Sequence, residues 1–358
     1  MADRSARAAR PLMAALHALA RLVQRQRAGR AARPHGVDAA AAPGSGLGHR
    51  RLRRMTAVPT DENRIQQVTI GRQRIRVAIR PGSAECTPLV IANGIGASLE
   101  LLQPFVDALD PAIEVIRFDV PGVGGSPPGS YLYTLAGLAR LLGMALTGLG
   151  YRHVDILGIS RGGQLAQQFA VQNPRRCRRL VLVSTTTGTL MIPADPRVLA
   201  ALLTQRRYRD PDYAAAVAGK LYGGSLRTDP GQAPGILQHQ VRPDNRTGYT
   251  YQLLAGASWT SLPFLPLIRQ RTLVVAGRDD PIIPVANAHL MAALIPRAQK
   301  LIHDDGHLAL VTRATQLAPE ISDFLLSSTT SIESKFDRGR RGHNGLAHHR
   351  KVAHERSR

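Results

Sequence analysis

The chain has 358 residues, of which 44% are hydrophobic, and this is enough for one large α/β core. Its formal net charge is +22. Residues 1–54 carry a net +10 and residues 329–358 a net +5, so only +7 belongs to residues 55–328. Specific nucleic-acid binding is disfavoured, because the two basic ends contain a single aromatic ring, Phe336, for base stacking. No apolar run approaches the ~20 residues of a membrane span, and two cysteines favour a reducing compartment.

Composition divides the chain into three parts. Residues 1–54 and 329–358 are predicted to be basic, disordered tails, and residues 55–328 form the predicted folded domain. The first tail is Arg-rich and acid-poor like a mitochondrial transit peptide, and its 11–23 segment could form a weak surface-binding amphipathic helix. The interpretation we favour is an extension upstream of a start at Met55.

From residue 65 onward, strand patterns alternate with helical patterns. Residues 67–70 and 74–79 alternate around Gly71-Arg72, which predicts an antiparallel hairpin at a sheet edge. Further strands are predicted at 88–92, 114–118, 153–157, 180–184, 272–276 and 300–303, and helices at 98–109, 134–149, 162–172, 285–295 and 313–326. Short buried strands that alternate with helices predict an α/β fold with a mostly parallel, doubly wound sheet.

The alternation stops between residues 185 and 268, where we predict a helical cap inserted between strands, at about residues 187–266. Five of the eight tyrosines and the only tryptophan fall in this segment. Such a concentration of aromatic rings suggests an apolar substrate cleft, although each ring could equally belong to the core of the cap. Tyr222 and Trp259 are the candidate substrate-binding residues.

Ser160 lies in the sequence Gly158-Ile159-Ser160-Arg161-Gly162, between a predicted strand and a predicted helix. On such a turn the serine adopts a strained backbone conformation, and glycines two residues to either side let the strand and helix approach each other. The five-residue pattern alone also arises by chance. The strand before it and the helix after it are what favour Ser160 as a nucleophile.

A serine hydroxyl needs a base to accept its proton, and the base needs an acid to hold its tautomer. In sheets of this type the acid and then the histidine follow the serine along the chain, at the ends of later strands. Asp280 follows strand 272–276 and is preferred to Asp279, which suits a solvated or helix-capping role. His307 follows the next strand on a glycine-containing loop. Ser160, Asp280 and His307 are therefore the predicted catalytic residues.

A tetrahedral intermediate also needs two fixed N–H donors for its oxyanion. The candidates are the backbone N–H groups of Arg161, directly after the nucleophile, and of Ile95, in the turn Asn93-Gly94-Ile95-Gly96. An ordinary strand-to-helix turn is the alternative for residues 93–96. Neither a phosphate-binding Gly-Lys-Ser/Thr nor a zinc-binding His-Glu-x-x-His pattern occurs, so no cofactor or metal is predicted.

Together these motifs resemble the α/β-hydrolase superfamily, and within it the intracellular medium-chain-length polyhydroxyalkanoate depolymerases. The resemblance covers about residues 65–327 and is carried by the stretches PLVIANGIGASLELLQPFVDALDP, FDVPGVGGS, GISRG, QLAQQFAVQNPRRCRRLVLVSTTTG, YGG, GYTYQLLAGASWTS, GRDDPIIP and IHDDGHLALVTRA. It implies an α/β-hydrolase fold and hydrolysis of polyesters of apolar 3-hydroxy acids by Ser160, Asp280 and His307. It further implies a cytoplasmic enzyme that works at granule surfaces without a cofactor.

The chain departs from this family at one position beside the chemistry. The residue after the nucleophile is usually Trp in the family, whereas here it is Arg161. Its backbone N–H can still donate a hydrogen bond. Its side chain could favour a carboxylate-bearing substrate, or could instead face solvent or a carboxylate of the cap.

Three alternative functions remain compatible with the sequence. The first is a general carboxylesterase or lipase that uses the same residues on small soluble esters. The second is a hydrolase fold retained only as a binding module, which the presence of serine, aspartate and histidine disfavours. The third is a polyanion- or membrane-binding protein that acts through its basic tails.

Overall fold

The computed structural model describes residues 64–129, 132–203, 206–208, 210–239 and 246–327. The predictions made for the two basic tails and for a start at Met55 concern residues outside these ranges. Within them, no helix combines the length and the apolar character required to cross a lipid bilayer.

The strands of the described residues form one eight-stranded sheet in the order β1-β2-β4-β3-β5-β6-β7-β8. They are β1 Arg64–Ile70, β2 Gln73–Arg80, β3 Leu89–Ala92, β4 Val115–Phe118, β5 Val154–Ile159, β6 Cys177–Val183, β7 Arg271–Gly277 and β8 Ala298–His303. β2 pairs antiparallel with both β1 and β4, and all the other neighbours are parallel. The predicted mostly parallel sheet, with an antiparallel hairpin at its edge, is confirmed.

The described α-helices are α1 Gln103–Ala108, α2 Leu135–Gly148, α3 Arg161–Gln172, α4 Pro196–Leu203, α5 Pro211–Tyr222, α6 Ser225–Thr228, α7 Ala233–Leu237, α8 Arg246–Ala257, α9 Ala286–Leu294, α10 Ala309–Thr312 and α11 Ala314–Leu326. Helices α4 to α8 lie between β6 and β7, together with short 3-10 turns at Arg206–Tyr208, Pro230–Gln232 and Leu262–Leu267. The segment predicted to be a cap is thus helical and inserted between two neighbouring strands.

Helices cover both faces of the sheet, because successive side chains of a strand point to opposite faces. In β3, Leu89 and Ile91 belong to a core cluster that includes α1, α11 and the cap helix α5. Val90 and Ala92 belong to a second cluster that includes α2, α3 and α9. All four β3 residues are buried, which explains why this strand is a continuous apolar run rather than an alternating one.

One predicted helix differs from the structure. The helix expected at 98–109 begins at Gln103, because polar contacts hold the preceding residues as turns: Leu99 N donates to Asp119 Oδ1 at 2.8 Å, and Asn93 Nδ2 donates to Ser98 O at 2.7 Å. The helix expected at 313–326 corresponds to α11, which begins one residue later because Arg313, with a φ of −127°, separates it from α10. The shortened helix α1 follows the 93–96 turn of the candidate site.

The strand ends place the predicted site residues along one edge of the sheet. Ile95, Ser160, Asp280 and His307 follow β3, β5, β7 and β8, respectively. These strands are mutually parallel, so the loops that leave their carboxyl ends are on the same side. This edge is where ligands bind in open α/β sheets.

The close contact between α3 and β3 gives a testable prediction about the stability of the folded protein. A Cβ at Gly162 would overlap the carbonyl group of Ala92, which is backbone and cannot rotate away. Gly162→Ala should therefore lower the free energy of unfolding by about 3 kcal/mol, the upper range for overpacking. Urea denaturation of the purified protein measures this difference.

The matched control is Gly148→Ala at the end of α2, where an added Cβ meets no atom within 4 Å. This change should be neutral or stabilise by up to ~1 kcal/mol. Equal urea midpoints for the two variants would contradict the proposed close contact.

Candidate active site

Ser160 occupies a strained turn between β5 and α3. Its φ of 52° and ψ of −119° lie in a region that side-chain-bearing residues rarely adopt. A Cβ at Gly158 would overlap backbone atoms of Gly162, so the strand and the helix meet through two glycines. The turn directs Ser160 out of the sheet edge, where its side chain lines a cavity.

The cavity lies between the sheet edge and the cap and has a volume of about 230 Å³. Its wall contains Ser160 and His307 together with cap residues from α4, α8 and the adjoining turns. The apolar side chains that contribute to it are Ile95, Leu101, Ile159, Met191, Leu199, Leu202, Leu253, Ile282, Ile283 and Leu308. This wall can surround an apolar acyl or alcohol chain next to the serine.

His307 and Asp280 form a buried hydrogen-bonded pair. His307 Nδ1 donates to Asp280 Oδ2 at 2.8 Å, since a carboxylate oxygen only accepts. The other carboxylate oxygen, Oδ1, accepts the backbone N–H groups of Ile282 and Ile283, each at 2.9 Å. These contacts hold the carboxylate in place, and in a neutral imidazole they leave Nε2 as the acceptor.

Ser160 and His307 line the same cavity, but among the described residues no hydrogen bond joins their side chains. Catalytic hydrogen bonds are often long in unliganded sites and shorten when substrate is bound.

Asp279, the alternative acid, has different partners. Its carboxylate accepts from Arg227 Nε at 2.6 Å and Nη2 at 2.8 Å, and from the backbone N–H of Gly224 at 2.8 Å. The hydrogen bond to Arg227 lowers the pKa of this carboxyl. Asp279 thus attaches the cap to the loop after β7, while Asp280 faces His307.

A second attachment between cap and sheet holds the histidine loop. The backbone N–H of His307 donates to Tyr222 O at 2.8 Å. Asp305, two residues earlier, accepts from the backbone N–H and the hydroxyl of Ser225 at 2.6 and 3.0 Å. The sequence offered one signal for this contact, the glycine pair after Tyr222. Both glycines have positive φ, 67° and 53°, and pack against the two loops.

The two predicted oxyanion-hole residues, Ile95 and Arg161, line the same cavity as Ser160. The loop that carries Ile95 approaches the nucleophile closely, because a Cβ added at Gly94 would lie 3.6 Å from Ser160 Cβ. The cap supports this loop through Gln252, whose Oε1 accepts from Gly96 N at 3.3 Å. Gln252 was not among the sequence predictions, since nothing in the pattern of α8 distinguishes it.

The two candidate substrate-binding aromatics have different positions. Tyr222 is buried and lines the cavity. Trp259 is absent from the described cavity wall; its Nε1 donates to Gln168 Oε1 at 2.6 Å, and its ring packs edge-on against Phe264 at 5.9 Å. Trp259 therefore joins the cap to α3 instead of lining the described cavity.

Of the positions considered from the sequence, the side chain of Arg161 takes the first, because it lines the cavity rather than facing a carboxylate of the cap. It turns under the cap, where Nη1 donates to Gln164 Oε1 at 2.9 Å and the guanidinium lies against Gly256 of α8. The cavity wall contains a second cation, Arg207, which is buried and donates to Tyr208 Oη at 2.6 Å. A glycine inside the helical pattern of α8 was the available signal that another group packs closely there.

The site geometry and the fold together define the class of protein. The family described as the alpha/beta hydrolase fold matches residues 87–314, and the chain belongs to that family as an enzyme of the ester-hydrolase class. It is 50% identical over 260 residues to the poly(3-hydroxyalkanoate) depolymerase of Ectopseudomonas oleovorans, an alignment that covers 72% of this chain and 91% of the relative. The resemblance inferred from the sequence motifs is thereby confirmed.

Solved structures agree on the fold. A hydrolase from Pseudomonas aeruginosa is 25% identical with a TM-score of 0.60, covering 74% of this chain and 98% of the other. The enol-lactonase of Burkholderia xenovorans is 23% identical with a TM-score of 0.62, covering 73% of this chain and all of the other. Because the enol-lactonase is less than 25% identical to this chain, its similarity establishes the fold alone.

Proposed function

We propose that this enzyme hydrolyses polyesters of apolar 3-hydroxy acids through an ester formed on Ser160. The observation that carries the proposal is that one largely apolar cavity is lined by a strained serine and by a histidine whose Nδ1 is hydrogen-bonded to a buried aspartate. The 50% identity to a poly(3-hydroxyalkanoate) depolymerase supports the substrate class.

In the proposed first step, Ser160 Oγ attacks the ester carbonyl and its proton passes to His307 Nε2. Asp280 keeps the hydrogen on Nδ1 and stabilises the imidazolium that forms. The backbone N–H groups of Ile95 and Arg161 bind the oxyanion of the tetrahedral intermediate, each donor accelerating the reaction about 10²- to 10³-fold. His307 then returns the proton to the alcohol oxygen, and the alcohol end of the polyester leaves.

In the second step, water attacks the ester on Ser160. His307 removes a proton from this water, the second tetrahedral intermediate collapses, and Ser160 recovers its proton. One water is consumed for each ester bond, and the products are a carboxylic acid and an alcohol. Apart from the ester itself, every group that reacts in this cycle belongs to the protein or to water.

Action on a polymer surface is supported by apolar side chains at the beginning of the cap. Leu190, Ile192 and Leu199 have exposed fractions of 55%, 39% and 38%. Leu199 also lines the cavity, so one of these exposed side chains adjoins the cavity wall. We propose that it contacts polyester granules in the cytoplasm, since exposed apolar patches mark interaction surfaces.

A second candidate function is a general carboxylesterase for small soluble esters. The observation in its favour is the cavity volume of about 230 Å³, which is below the usual ~300–1,000 Å³ of small-molecule sites. Such a cavity accommodates a short ester without any polymer.

The deciding experiment compares medium-chain polyhydroxyalkanoate granules with p-nitrophenyl butyrate and octanoate, using the wild-type enzyme and Ser160→Ala as the blank. We expect clearing of the granules by the wild type alone. Hydrolysis restricted to the soluble esters would reject the depolymerase function in favour of the general esterase. Absence of hydrolysis on all three would reject both.

A further inference from the structure

We propose that the guanidinium of Arg161 binds the free carboxylate at the end of a polyester chain, so that the enzyme releases units from the carboxyl terminus. This inference rests on the proposed function and adds to it a recognition group and a direction of cleavage. It begins from the charges in the cavity wall.

The described wall of the cavity contains two cations, Arg161 and Arg207, and no Asp or Glu. Asp280 lies behind His307, and its two oxygens accept hydrogen bonds from that ring and from the loop backbone. A substrate carboxylate would therefore meet positive charge without competing acidic side chains. Burial strengthens electrostatic interactions. The positive charge of the wall therefore favours esters that carry a carboxylate over neutral ones.

Arg161 is the cation with donors available for a ligand. Its Nη1 donates to Gln164 Oε1 at 2.9 Å, and among the described residues Nε and Nη2 have no protein acceptor and the guanidinium has no ion pair. Burial lowers the pKa of Arg161 to about 10, and the phenols of Tyr249 and Tyr133 act less strongly in the opposite direction. The side chain is thus a partly desolvated cation at neutral pH.

The position of this cation is fixed by the cap. The guanidinium occupies the space that a side chain at residue 256 would fill, since a Cβ at Gly256 would overlap Nη1. Gln164, its hydrogen-bond partner, is itself held by Thr186, whose Oγ1 accepts from Gln164 Nε2 at 3.0 Å. Arg161 also directly follows Ser160 in the chain and lines the same cavity.

The chemistry of the substrate supplies a carboxylate at a short distance from the scissile bond. In the last unit of a poly(3-hydroxyalkanoate), the ester oxygen is attached to a carbon that carries a CH₂–COO⁻ group. Interior units have another ester at that point and no charge. A cation that pairs with this carboxylate therefore selects the terminal ester, and hydrolysis there consumes one water and releases one 3-hydroxy acid.

The test uses two dimers that share the same scissile ester. One is the 3-hydroxyoctanoate dimer with a free carboxylate, and the other is its primary amide, which has similar size but no charge. For the wild type we expect kcat/KM on the acid to exceed that on the amide at least about 10-fold, as for a charge-assisted hydrogen bond. Arg161→Met should bring this ratio close to one, and Arg161→Lys should retain part of it.

Arg152→Met serves as the matched control, because it removes the same charge from an exposed side chain outside the cavity wall. It should leave the ratio of acid to amide at the wild-type value. A wild-type ratio near one, or the same ratio in Arg161→Met as in Arg152→Met, would overturn the inference while leaving the esterase function intact. Failure of the wild type to cleave either dimer would instead count against the proposed function.

Discussion

Ser160→Ala should lower kcat/KM by about 10⁴-fold or more on every ester that the wild type cleaves. Loss of the nucleophile removes the route through the covalent ester. The rate enhancement that remains comes only from substrate binding and from the oxyanion hole. The protein should still fold, since the substitution removes one oxygen and both residues have the same Cβ at a φ of 52°. Rates on p-nitrophenyl octanoate, together with thermal unfolding of both proteins, measure the two effects separately.

Ser184→Ala is the matched control for this experiment. Ser184 is the other described non-glycine residue with positive φ, 42°, and it is buried directly after β6, the strand next to β5. Its side chain is outside the cavity wall, so the activity should stay within about 3-fold of wild type, the scale of an effect below 1 kcal/mol. Ser160→Ala with more than a tenth of the wild-type activity would contradict the nucleophile assignment.

The second large effect is expected for Asp280→Asn, with a fall in kcat of about 10³- to 10⁴-fold. The backbone N–H groups of Ile282 and Ile283 donate to Oδ1, so they will retain the amide oxygen of the new side chain. The amide nitrogen then occupies the position of Oδ2 and donates to His307 Nδ1. This forces the hydrogen of the imidazole to Nε2, where it cannot accept the proton of Ser160.

Asp279→Asn is the control, since it makes the same change at the adjacent residue. It removes an ion pair with Arg227 in which both side chains are nearly half exposed, and such pairs contribute about 0–1 kcal/mol. We expect kcat to change by less than about 3-fold and the unfolding free energy to fall slightly. Steady-state kinetics that show equal losses for the two variants would refute the distinct roles of these carboxylates.

The overall architecture could be predicted because its causes are local in the sequence. Buried strands such as Leu89–Ala92 are continuous apolar runs, and each is followed by a turn and a helical pattern, which predicts a parallel sheet. In such a sheet the carboxyl ends of the strands share one edge, so residues far apart in sequence were predicted to be neighbours. The same reasoning predicts that Ser160, Asp280 and His307 lie in one site.

The directions of three side chains, Asp279, Asp280 and Trp259, depended on tertiary packing. The direction of the Asp279 and Asp280 side chains is set by Arg227 of the cap and by the loop backbone of residues 282–283. Trp259 was a candidate for the cavity, but its hydrogen bond to Gln168 places it elsewhere. Composition could locate these aromatic and acidic residues in the chain but not the direction in which each one points.

By itself, the sequence determined the family, the order of strands and helices, and the residue types at the ends of the strands, since hydrophobic periodicity and glycine spacing act over a few residues. Only the tertiary structure decided that Arg161 turns into the cavity under Gly256, beside Gln164. That contact joins α3 to the cap helix α8, which are distant in the chain. Long-range packing decides where this charge lies, because no local pattern specifies which helix covers the residue after the nucleophile.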